Sequence, residues 1–132
     1  MKKIALIILV LATMPFLSRA QQENQVLGKV HDAIRTGDAS GLSSWFHTTV
    51  DLELGDTDGN FSRNQAEMIL KDFFTRNPVK SFTVKHQGSS DDGSKYSIGH
   101  YIAKNGQEYR VYVLLKQSEG GLRINQLQFE ED

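Results

Sequence analysis

The chain contains no cysteine, so no disulfide can staple it, no thiolate can hold a metal, and no lipid-modifiable residue stands near its N-terminus. It also lacks any excess of basic charge. The first twenty residues carry three basic residues (Lys2, Lys3 and Arg19) and no acid, so the total of 15 basic against 16 acidic residues becomes 12 against 16 beyond Ala20, a net charge of −4 with His neutral. An acidic chain without a basic run has little attraction for phosphate backbones or anionic lipid, which argues against a nucleic-acid partner. Nucleophile and phosphate motifs are missing too. Ser43-Ser44 and Ser89-Ser90 lack the Gly-x-Ser-x-Gly elbow, and there is no phosphate-binding Gly-rich loop. There is no internal repeat, low-complexity tract or linker, and 132 residues fit one domain.

The one long apolar run, residues 4–16, follows Lys2-Lys3 and precedes Ser18-Arg19-Ala20, the pattern of a secretory signal peptide cut before Gln21. Its 13 residues fall short of the roughly 20 needed to span a bilayer. The expectation is a signal peptide over residues 1–20 and a single domain over 21–132, periplasmic or secreted and without stable membrane insertion. Such a domain has to hold its core without disulfides, and a chain of this size buries about two-thirds of its unfolded surface.

Val26, Leu27, Val30 and Ile34 recur at helical spacing and Gly37 follows, which predicts a first helix over residues 21–35. Asp38 caps a second, expected to run through Phe46 with Leu42 and Trp45. Val50, Leu52 and Leu54 alternate with Asp51 and Glu53, the pattern of a half-buried strand, and residues 55–60 are dense in turn formers. Ser62 and Gln65 have capping-box spacing before the stripe Ala66, Ile69, Leu70, Phe73 and Phe74, ended by Asn77-Pro78. The rest reads as antiparallel sheet. Phe82, Val84 and His86 share one strand face, and Tyr96, Ile98, His100 and Ile102 another. Asn105-Gly106 is a two-residue hairpin signal. Tyr109, Val111, Val113 and Leu115 face one way and Tyr112 and Leu114 the other, and a phase change in the last strand predicts a bulge near Asn125-Gln126.

This order predicts an α+β fold with three helices, all in the N-terminal half of the mature chain, packed on one face of a strongly curved antiparallel sheet. The pattern Asn60-Phe61-Ser62, Gln65-Ala66-Glu67, Ile69-Leu70, Phe73-Phe74, Pro78, Phe82, His86-Gln87-Gly88, Tyr96, Gly99 and Tyr109-Arg110-Val111-Tyr112 resembles a family of small exported bacterial proteins of unknown function. That family lies within the nuclear transport factor 2-like superfamily of cone-shaped α+β domains. The resemblance covers about residues 22–130 and implies the fold and export. Because the superfamily hosts dehydratases, isomerases, carriers and dimerising modules, it selects no chemistry. Its isomerases use a helix Tyr with a strand Asp, and no Tyr falls in the predicted helices, so that pair does not carry over.

Four constellations are candidates for function. Asp56, Asp58, Asn60 and Glu67 occupy positions 1, 3, 5 and 12 of an EF-hand loop. Position 6 is Phe61 where the loop requires Gly, position 8 is Arg63, and the left flank reads as a strand; a turn joined to a helix N-terminus explains the same residues. His86 and His100 share faces with Val84 and Ile98, so with Tyr96 and Tyr109 they would line the cone as proton-handling groups; hydrogen-bonded core imidazoles and phenols are the plainer reading. His31 sits at the edge of its helix's apolar stripe. Asp51 and Glu53 share a strand face, a carboxylate pair if it meets a pocket and a solvated face otherwise. Tyr101, Tyr112 and Leu114 are assigned to an outward face that forms an interface. Asn60-Phe61-Ser62 also fits a glycosylation sequon, which acts only in a eukaryotic secretory pathway. The leading expectation is a non-catalytic binding or interaction module, homodimeric and without cofactor or metal, whose partner is a small molecule or protein. The alternative is an enzyme or carrier of the dehydratase/isomerase type with a pocket inside the cone.

Overall fold

The computed structural model describes the backbone of residues 15–132 and the side chains from residue 25 onward. Most of the predicted signal peptide, residues 1–14, lies outside the described residues. Among these, no helix is long and apolar enough to cross a membrane.

Leu27, Val30 and Ile34 are buried along one face of helix α1 (Pro15–Thr36). The helix stops at Gly37, whose φ of 64° suits a left-handed residue without Cβ. Gly37 N donates to Ile34 O at 3.1 Å and Asp38 N to Ala33 O at 2.8 Å, the paired bonds of a Schellman ending. Asp38 then caps α2 (Ala39–Ser43), its Oδ1 accepting from Gly41 N at 2.9 Å. The second helix is shorter than its sequence implies. Trp45 O accepts from Ile124 N at 2.7 Å, which draws the chain into the sheet, and the fully buried Phe46 opens strand β1 (Phe46–Leu54).

Residues 55–60, expected to be a loop, are mostly strand. Leu54 pairs with Thr57 across the two-residue turn Gly55-Asp56, and β2 (Thr57–Ser62) returns antiparallel to β1. Gly55, at φ 58°, holds the first central position, where a primed hairpin turn wants glycine. The capping box of α3 (Arg63–Arg76) is present as expected, with Gln65 N donating to Ser62 Oγ at 3.3 Å and Ser62 N to Gln65 Oε1 at 3.4 Å. Four strands follow, β3 (Val79–Ser89), β4 (Lys95–Ala103), β5 (Glu108–Ser118) and β6 (Gly121–Glu131). All six form one sheet in the order β2-β1-β6-β5-β4-β3. Every neighbouring pair is antiparallel except β1 and β6, which run parallel. The expected bulge in β6 is there: Leu114 faces Gln126 and Leu115 faces Ile124, leaving Asn125 extra. The β4–β5 hairpin, by contrast, has a three-residue loop. Gly106 N donates to Ala103 O at 3.0 Å and Ala103 N to Gln107 O at 2.9 Å, with left-handed φ at Gly106 alone, whereas a two-residue I′ turn would need Asn105 left-handed as well.

The helices and the inner sheet face share a single core. At its centre Phe73, Phe74, Tyr101, Tyr109 and Phe129 stack edge to face or tilted, with Phe73 4.9 Å from Phe129 and 5.2 Å from Tyr109 between ring centres. The phenols need partners in this apolar setting, and Asn77 supplies them. Its backbone carbonyl accepts from Tyr101 Oη at 2.5 Å and its Oδ1 from Tyr109 Oη at 3.0 Å and Asn105 Nδ2 at 2.9 Å. Its Nδ2 donates to Phe73 O at 3.2 Å.

Two substitutions test this packing by urea unfolding. Asn77→Ala orphans the buried Tyr109 hydroxyl and removes one of the two acceptors of the Asn105 amide, and is expected to cost about 2–3 kcal/mol, against about 1 for Tyr109→Phe. Equal costs would remove Asn77 from the centre of the network. Gly99→Ala places a methyl 2.5 Å from the Phe82 ring and 3.0 Å from Thr83 O and is expected to destabilise by about 1–3 kcal/mol; a neutral result would mean that the ring moves freely.

Candidate functional site

The inner face of β4 carries Ser97, Gly99, Tyr101 and Ala103, all buried, while Tyr96, Ile98, His100 and Ile102 face outward and are half-buried. The sequence pattern points to the opposite assignment because the outward residues are the larger and more hydrophobic. Packing reverses it. The ring of Phe82, from the neighbouring β3, lies over Gly99 and His31 of α1 reaches Ser97, so the covered side needs small residues at these two positions. Tyr101, expected at an outward interface, is fully buried, whereas Tyr112 and Leu114 do occupy the outer face, half-buried.

The expected interior quartet is thereby divided. Tyr109 lies in the core, and burial pushes its phenol and that of Tyr101 above the ordinary range. His86 pairs with Ile98 on the outer face because β3 bulges at Lys85, between Val84 opposite Gly99 and His86 opposite Ile98. There His86 Nε2 lies 3.0 Å from Tyr96 Oη. His100 stands apart, also outside, with Nε2 3.4 Å from Glu108 and Nδ1 3.4 Å from Asp132. Its carboxylates sit on different ring nitrogens and cannot converge on one ion.

The EF-hand-like residues do not form a loop. Asp56 is in the β1–β2 turn, Asp58 and Asn60 are on β2, Asn60 Nδ2 donates to Asp51 Oδ1 at 2.7 Å, and Glu67 accepts from Ser43 Oγ. Asp51 lies exposed on the sheet's outer face, and Glu53, half-buried beside it, accepts from Gln128 Nε2. Among the described residues no three His, Asp or Glu side chains are placed to hold a metal ion.

What the fold does assemble is a cleft of about 810 Å³ between α1 and the edge strand β3, bordered by Leu27, Gly28, His31, Val84, Lys85, His86 and Gln87. Arg35 fixes the helix beside that strand, its Nε donating to Phe82 O at 3.3 Å and its guanidinium 5.8 Å from the Phe82 ring. His31 forms the floor. It is 6% exposed, and its Nε2 lies 2.9 Å from the Oγ of Ser97, which is 1% exposed. A histidine beside a serine has the distance of a base and its nucleophile. Here the hydroxyl is sealed behind the imidazole, so the pair orients His31 and offers no attacking group to the cleft. Burial, with Arg35 nearby, lowers the His31 pKa and favours the neutral ring. Ser97 and Lys85 carry no motif, Gln87 enters only the family pattern, and the packing of α1 on β3 brings them to His31.

A curved, mostly antiparallel sheet with its helices collected on the inner face is the architecture of nuclear transport factor 2-like domains, and a solved design of that fold, 16% identical, matches with a TM-score of 0.62 over 84% of this chain and 98% of its own. Residues 27–130 match the family described as Domain of unknown function (DUF4783), and the chain belongs to that family. A family protein from Bacteroides ovatus is 30% identical with a TM-score of 0.73, covering 79% of this chain and 93% of its own. One from Bacteroides uniformis is 25% identical with a TM-score of 0.74, covering 80% and 95%. No curated protein matches the sequence.

The buried imidazole predicts an acid-sensitive fold. Unfolded His31 protonates at its ordinary 6.5 and folded His31 only at lower pH, so between these values the unfolded chain binds more protons and stability falls on acidification. The loss begins as pH drops through about 6.5 and continues to the folded value. His31→Gln, which keeps a hydrogen-bonding group near Ser97, is expected to flatten the urea midpoint's pH dependence below 6.5; an unchanged slope would show that His31 is not its source.

Proposed function

We propose that this protein is an exported, non-catalytic interaction module that pairs with a second copy of itself through the outer face of its sheet. The observation that carries this reading is the filled interior. Five aromatic rings occupy the space where an open cone would hold a substrate, and of the quartet His86, His100, Tyr96 and Tyr109 only Tyr109 faces it. That counts against the dehydratase or isomerase alternative, which needs a cavity and a positioned proton-handling group.

The outer face offers what a contact surface needs. Tyr96, Ile98, Ile102, Tyr112 and Leu114 lie half-buried on β4 and β5, opposite the side on which the helices pack. Tyr112 sits between Ile98 and Gln128, and Leu114 between Tyr96 and Gln126, which gives an aromatic and aliphatic centre with a polar rim. Lys116 pairs with Arg123 at one end of the β5–β6 ladder, while at the other Glu108, Glu130 and Asp132 outnumber Arg110, which stands opposite Glu130. A twofold axis near Tyr112 would set each basic end against the acidic end of the second copy. Export rests on Lys2-Lys3, the apolar run after them and Ser18-Arg19-Ala20.

Sedimentation of the chain as the cell processes it is expected to show a dimer at micromolar concentration. Leu114→Arg should weaken the association by about thirtyfold or more, with thermal stability retained. A wild-type monomer at the highest soluble concentration would overturn the pairing.

A further inference from the structure

We propose that the cleft between α1 and β3 is a binding site for a small amphipathic carboxylate. Its volume of about 810 Å³ lies in the range of small-molecule sites. Its chemistry is mixed in a way that a strand edge alone does not produce. Leu27 and Val84 supply apolar surface, and the bulge at Lys85 lets four successive residues, 84–87, border the cleft where a regular strand would present alternate ones.

The charge is one-sided. Lys85 borders the cleft and, among the described residues, no Asp or Glu does, in a chain whose acids outnumber its bases. Asp32, beside His31 on the described part of the helix, is engaged by Arg35 Nη1 at 3.0 Å. A cation at the rim of a partly apolar cleft recognises an anion that brings an apolar body with it.

The floor adds a second, independent observation. Among the described residues Ser97, on Nε2, is the one hydrogen-bond partner of His31. Among the described residues no buried side-chain nitrogen or oxygen lacks a partner, so Nδ1 is not sealed in the core and keeps some exposure in a residue that lines the cleft. A neutral imidazole there offers one hydrogen-bonding group to a carboxyl head.

Gly28 is the third. It lies in the interior of α1, where glycine is among the poorest helix formers, and a Cβ built on it meets nothing within 4 Å. Among the described residues no close packing demands a glycine at this position. What its missing side chain provides is room above the cleft, with His31 one helical turn further on.

The test uses octanoate, 1-octanol and octylammonium as probes of one chain length and three charges, read by the backbone amide NMR shifts of residues 27–31 and 84–87 and by melting temperature. Octanoate is expected to shift these amides and to bind about fivefold more tightly than octanol, the ratio an exposed ion pair provides, with octylammonium weakest. Gly28→Leu should raise the melting temperature of the free protein and abolish octanoate binding, because the new side chain fills the cleft. Lys85→Glu should cancel the preference for octanoate over octanol while the fold persists. Octylammonium binding as well as octanoate, octanoate binding unaffected by Gly28→Leu, or no amide shift with any probe would each overturn the assignment.

Discussion

Asn77 is where helix, turn and sheet are tied together. It ends α3, its backbone N–H bonding Phe73 O at 2.8 Å, and its carbonyl and side chain hold the hydroxyls of Tyr101 and Tyr109 on the two strands of the β4–β5 hairpin. The loop of that hairpin returns the contact, with Lys104 N donating to Pro78 O at 2.7 Å and Asn105 Nδ2 to Arg76 O at 3.0 Å. Satisfying two buried phenols in one place permits two large rings inside the curve of the sheet, where an unpaired hydroxyl would carry a full desolvation penalty. The rings in turn occupy the volume that an open cone leaves for a ligand. A single capping residue thus decides that the interior is core, and chemistry is left to the edge and the outer face.

Much of this architecture is legible in the residues themselves. The helical stripe and Gly37 give α1 and its end, Ser62 with Gln65 gives the start of α3, and the phase change after Ile124 gives the bulge in β6, because each of these signals is local. What is lost is what depends on neighbours distant in sequence. Whether Tyr96 or Ser97 faces inward is decided by Phe82 and His31 pressing on the small residues, and alternation alone cannot say which side a helix will cover. The bulge at Lys85 turns His86 away from the face of Val84 for the same reason: the extra residue exists only relative to β4. Nor does the sequence show that Thr57 to Ser62 would pair with β1, since Asp, Gly and Asn favour turns and only Gly55-Asp56 makes one.

The candidate site is the least legible part. His31 stands out as a polar residue at the edge of an apolar stripe, but Ser97, Gly28 and Lys85 have no signature. They come together because α1 lies along the edge strand with Arg35 as its fastening.

That placement also solves a problem of the sheet. An edge strand exposes backbone groups to pairing with other chains, and proteins blunt such edges with bulges, lysines and covering elements. β3 has all three, with bulges at Lys80 and Lys85 and α1 beside it. A covering helix has only to lie close enough to obstruct an incoming strand, and need not seal the edge. The gap left along Gly28 and Val84 is therefore compatible with edge protection, while the buried imidazole beneath it exceeds what protection requires. Lysine at the bulge serves both ends at once, repelling a second edge like itself and drawing an anion into the gap.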